Sequence, residues 1–127
     1  MWIKDFNRLS YFFFSFEVKE PCQTVIVKLK DGVLTEGVSM DGTYKLSTKV
    51  NGKESWTTSS NAIWYIPDVK GWGIGPLAYK GTKSRSIRSK FVYDLEQPYD
   101  VEYWDTHRSG SWVTDLSATD VTVKCET

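Results

Sequence analysis

Asn51-Gly52 stands between two alternating apolar and polar runs, and it constrains the fold more than any other feature of the chain. Both residues tolerate positive φ, so the pair specifies a tight hairpin turn whose twist matches the flanking strands. The run 43–50 places Tyr44, Leu46 and Val50 on one face, and the run 53–58, carrying Trp56, is expected to return antiparallel. The same punctuated alternation continues along the chain. In 24–30, Val25, Val27 and Leu29 share a face before Asp31-Gly32 offers a turn. Segment 62–66 is apolar on both faces, which predicts a central strand. Pro67-Asp68 opens a turn before 72–75, and 43–75 reads as a meander of four strands. Segments 87–93, 101–105, 111–114 and 121–125 complete the set, with a turn at His107-Arg108-Ser109-Gly110. No helical periodicity competes. The predicted fold is all-β, a compact antiparallel sandwich or barrel of about eight to ten short strands.

Two cysteines, Cys22 and Cys125, bracket this body. Paired, they close a loop of roughly 100 residues, worth about 4–5 kcal/mol in the chain-entropy model. The bracket favours an oxidising compartment and an extracellular or secreted protein. The competing reading is two separate buried thiols. At 127 residues the chain suits one domain. The expected division is a single β domain over 22–125, preceded over 1–21 by an apolar arm or docking strand. That arm carries Trp2, Ile3, Phe6 and Leu9, then a strand that starts at Tyr11 and ends at Phe16, with Phe12, Phe14 and Phe16 on one face. Left bare it would be an aggregation-prone edge, so it is expected to add to a sheet, its own or that of a second copy. The stretch 9–16 resembles a signal peptide weakly and offers no small-residue cleavage site. No segment approaches the ~18–20 apolar residues of a membrane span.

The order Gly42-Thr43-Tyr44, Asn51-Gly52-Lys53, Trp56, Ile63-Trp64-Tyr65, Gly71-Trp72-Gly73-Ile74-Gly75, Trp104, Trp112 and Val121-Thr122-Val123-Lys124-Cys125 resembles a Cys-flanked, Trp/Tyr-rich module of secreted multidomain proteins of aquatic invertebrates. The resemblance covers 22–125. It implies an extracellular location and a β fold, and it carries no established activity.

The function classes narrow by chemistry. Sixteen basic and sixteen acidic residues cancel, so no global field favours nucleic acid or an anionic membrane. One histidine, His107, in the predicted turn and read as solvated, cannot build a zinc site of ordinary spacing. No Gly-x-Ser-x-Gly elbow occurs, and Gly71-Trp-Gly-Ile-Gly75 runs into Pro76 rather than a phosphate-binding helix. Asp94, Glu96, Asp100, Glu102 and Asp105 lack the order of an EF-hand. No catalytic residue, metal or cofactor is therefore expected.

Two features suit binding. The run Lys80-Gly-Thr-Lys83-Ser-Arg85-Ser-Ile-Arg88-Ser-Lys90 holds five cations on small spacers, able to grip sulfate, phosphate or carboxylate groups of a glycan or an acidic protein. Its bland alternative is charge balance with the acidic segment 94–105. Aromatic residues are 15% of the chain, and most have a core role by default, including Trp56, Tyr65, Trp72 and Trp112. Trp64 and Trp104, on the opposite alternation, and Tyr79, in a loop, are the candidate stacking rings. The leading expectation is an extracellular non-catalytic recognition module, lectin-like toward acidic glycans or binding an extracellular protein surface. The alternatives are an assembly protein polymerising through 11–16, and a small hydrolase using paired carboxylates such as Asp94 and Glu96.

Overall fold

Alternation becomes strand wherever one side of a run can be buried. A computed structural model describes residues 20–90, 97–114, 117 and 119–127. Nine strands are seen there: β1 (Thr24–Leu29), β2 (Gly42–Leu46), β3 (Trp56–Thr57), β4 (Asn61–Ile66), β5 (Gly71–Pro76), β6 (Ile87–Ser89), β7 (Trp104–Arg108), β8 (Ser111–Thr114) and β9 (Val121–Cys125). They form one antiparallel sheet in the order β8-β7-β6-β5-β4-β3-β2-β1-β9. Connections are turns and short 3-10 segments, with no α-helix among the described residues. The sheet curls into a half-barrel, so that Val113 and Thr114 of one edge and Val121 of the other line a common cavity. The all-β, antiparallel expectation is met.

The concave face holds the main core. Val25, Tyr44, Trp56, Ile63, Trp72, Ile74, Ile87 and Trp104 are buried in one cluster that also takes in Val121 and Val123 of β9. Their rings meet edge-on or tilted, Trp72 lying 5.5 Å from Tyr65 and 6.1 Å from Trp56 between centroids. Each such ring contributes about 1.5–3 kcal/mol by leaving water. Two polar tips are satisfied inside it: Trp56 Nε1 donates to Cys22 O at 2.7 Å, and Tyr44 Oη to Met40 O at 2.7 Å. The disulfide Cys22–Cys125 joins the entry to β1 with the end of β9, across 103 residues.

On the convex face β4 is covered too. Ala62, Trp64 and Ile66 form a second buried cluster with Val50. The Asn51-Gly52 turn, with φ of 55° and 86°, brings this loop over β4, and Asn51 Nδ2 donates to Tyr65 O at 2.8 Å. β4 is thus buried at all six positions, as expected of a central strand.

Several local expectations are corrected. β2 stops at Leu46, so Val50 does not continue the face of Tyr44; it forms a bridge with Lys53 and covers the opposite side of the sheet. The β7–β8 turn is the two residues Ser109-Gly110, both at positive φ, which leaves His107 and Arg108 in the strand. That shorter turn pairs His107 with Trp112 and Asp105 with Thr114. Trp112 therefore stands half-buried on the convex face rather than in the core. Trp104 takes the core position instead. Residues 1–19 of the expected arm, with the strand predicted over 11–16, lie outside the described residues.

Candidate functional site

The site grows out of β5. In Gly71-Trp-Gly-Ile-Gly75 the large residues point into the core and the glycines line the convex face, leaving a trough where side chains rest on backbone. A Cβ at Gly73 would lie 2.8 Å from Ile66 Cδ1 and 3.0 Å from Arg85 Cδ. Gly75 likewise lies under Arg85 and Trp64. The connection from β5 to β6 supplies what fills the trough. Its 3-10 segment Leu77–Tyr79 is closed by Thr82, whose Oγ1 donates to Tyr79 O at 2.7 Å and whose carbonyl accepts from Trp64 Nε1 at 2.9 Å. Tyr79 is left 44% exposed.

Across the trough stand β7 and β8. His107 and Trp112 are directly opposite on the convex face, with rings 4.9 Å apart. The loop before β2 reaches them through a small turn at Glu36-Gly37, both at positive φ. Glu36 Oε1 lies 2.7 Å from His107 Nδ1 and accepts from Gly110 N at 3.2 Å. A groove of about 590 Å3 results, lined by Glu36, Tyr79, Lys83, Arg85, His107 and Trp112 among others. Beside it a smaller cavity of about 210 Å3 is lined by Trp72, Arg85, Arg88, Ser89, Lys90 and Asp105. Arg85 lines both.

The five cations have separate fates. Lys80 reaches Ser47 Oγ at 3.4 Å and stays out of both cavities. Lys83 pairs with Asp68 at 2.8 Å, which holds its ammonium pKa above the ordinary lysine value. Arg88 pairs with Asp105 at 3.0 Å, so for this residue the charge-balance reading applies. Lys90 lines the smaller cavity. Arg85 has no carboxylate partner among the described residues; its Nη1 donates to Lys83 O. Desolvation, and after it the charge of Arg88, lowers its pKa from the usual guanidinium value. Asp94 and Glu96 lie outside the described residues.

Of the candidate rings only Tyr79 is open to a ligand. Trp64 and Trp104 are 0% exposed. Trp64 is roofed by the loops carrying Val50 and Thr82, and Trp104 faces the core, so neither can stack on a ligand in this conformation. The residues that sequence reasoning missed are Glu36, His107 and Trp112. Ser109-Gly110 was the available signal: read as a two-residue turn, it sets His107 opposite Trp112.

Among the described residues no three His, Cys, Asp or Glu side chains gather as a metal ion would require, and no helix is long and apolar enough to cross a membrane. The disulfide is consistent with an extracellular or otherwise oxidising setting. No family model, curated protein or solved structure matches the chain.

Proposed function

We propose that this protein is an extracellular, non-catalytic recognition module that binds an acidic glycan in the groove between the 77–86 connection and β7–β8. The observation that carries the reading is the meeting of an exposed ring, Tyr79, with a guanidinium that has no ion-pair partner among the described residues, Arg85, in one concavity. An aromatic face takes the apolar side of a sugar, while guanidinium forks match sulfate and carboxylate oxygens. The bond from Trp64 Nε1 to Thr82 O and the packing of Arg85 over Gly73 and Gly75 seat the connection that carries both, and the disulfide fits an extracellular setting.

Heparin chromatography tests this. Retention should fall steeply between about 50 and 200 mM salt, as released counterions require. Lys83→Gln with Arg85→Gln, which keeps most of the Arg85 stem over the glycine trough, should elute at clearly lower salt while its circular dichroism stays native. Unchanged elution of that folded double variant would sink the reading.

A further inference from the structure

The groove and the smaller cavity share Arg85 as a wall, and we infer that they form one track for a linear acidic polysaccharide, engaged along several sugar units rather than at a chain end. This rests on the function proposed above. Two polar atoms at the junction are buried without a hydrogen-bond partner among the described residues: Arg85 Nε, a donor, and Asp105 Oδ1, an acceptor on a side chain whose other oxygen holds Arg88. Asp105 is only 3% exposed. An orphaned buried polar atom is costly, and folded proteins leave few of them.

Both residues line the smaller cavity, and each carries an unmet polar atom closed off from water, one a donor and one an acceptor. A hydroxyl group serves both, accepting from Arg85 and donating to Asp105. Sugars carry hydroxyls between their charged groups. An acidic protein surface brings mainly carboxylates, which Asp105 repels.

The cations continue on both sides of this junction. Lys83 lies on the groove side, and Arg88 and Lys90 on the cavity side. Arg88 and Lys90 sit two residues apart on an extended segment, so their stems are about 6.6 Å from one another along the sheet. Lys90 N keeps the ladder going with a hydrogen bond to Tyr103 O at 2.8 Å. A ligand reaches the two closed atoms when the Arg85 side chain turns. Among the described residues no ion pair opposes that turn; the hydrogen bond to Lys83 O, the Trp112 ring 5.8 Å from the guanidinium carbon and packing over Gly73 do.

The test uses the full chain and size-defined heparin oligosaccharides, from disaccharide to octasaccharide, titrated calorimetrically at one salt concentration. Affinity should rise by about tenfold or more up to the length that spans the track and then level off. Lys90→Gln, an exposed change, should remove most of that gain. Polyglutamate of equal charge should bind at least about tenfold more weakly than the spanning oligosaccharide, because it offers no hydroxyls. Equal affinity for disaccharide and octasaccharide, or for polyglutamate and the oligosaccharide, overturns the track while leaving the groove's function standing. No heparin binding of any length overturns both.

Discussion

The Arg88 guanidinium carbon lies 4.1 Å from the centre of the Trp112 ring, while the same side chain donates from Nε to Asp105 at 3.0 Å. One cation is thus shared by a ring and a carboxylate on two neighbouring strands. The carboxylate is nearly closed off from water, so its charge relies on this partner. Arg88→Ala should lower the unfolding free energy by about 1–3 kcal/mol, and adding Asp105→Asn should restore part of the loss, since a neutral amide is cheaper to leave buried. Urea denaturation of the two variants decides this; additive losses would contradict it.

Trp56 and Trp104 are both 0% exposed and differ in one hydrogen bond. Trp56 Nε1 donates to Cys22 O, whereas Trp104 Nε1 has no acceptor among the described residues. Trp56→Phe should leave a buried carbonyl unpaired and should cost about 1–3 kcal/mol more than Trp104→Phe, which relieves an unpaired donor. Equal losses in the two variants would mean the bond to Cys22 contributes nothing.

Reduction of Cys22–Cys125 releases a closure across 103 residues. The native chain should weigh two hydrogens less than the reduced chain. The Cys22→Ala, Cys125→Ala variant should lose about 4–5 kcal/mol, less whatever structure the reduced unfolded chain retains. Two titratable thiols in native protein would remove both the closure and the compartment argument.

Burial pushes the Tyr44 hydroxyl well above the ordinary phenol range; the charge of Asp41 adds to this, and a hydrogen bond with Asn61 opposes it. The native state therefore keeps a proton that the unfolded chain has lost. Tyr44's contribution to stability is fully present below about pH 10, the unfolded value, and is lost as pH rises from there toward the folded value. The thermal midpoint should fall as pH climbs past about 10, and Tyr44→Phe should fall less steeply. Tyr99, raised chiefly by its partial burial, leaves a residual slope. Parallel curves for the two proteins would rule Tyr44 out as the cause.

Gly73→Ala introduces a methyl 2.8 Å from Ile66 Cδ1 and 3.0 Å from Arg85 Cδ. It should cost about 1–3 kcal/mol as overpacking and should shift heparin elution, because Arg85 loses its seat. An unaffected elution profile with reduced stability would show that Arg85 binds independently of the trough.

Strand content was legible because it is local. Alternation gave β1 and β9, the doubly apolar run gave β4, and positive-φ tolerance gave the Asn51-Gly52 turn. The spacing of Cys22 and Cys125 likewise suggested a closure that the fold contains. The site was legible only in fragments. Alternation says that two faces differ, not which one is covered, and a register change of one residue exchanges them. Trp64 and Trp104 carry the same apolar signal; loops around Val50 and Thr82 bury the first, and the curled sheet buries the second. Whether Trp112 met the core or Arg88 hung on the length of one turn. Glu36, Arg85 and His107 come from three separate parts of the chain; the pairing of β6 with β7, which sets Ser86 against His107, and the loop that carries Glu36 to His107 and Gly110 bring them to one groove.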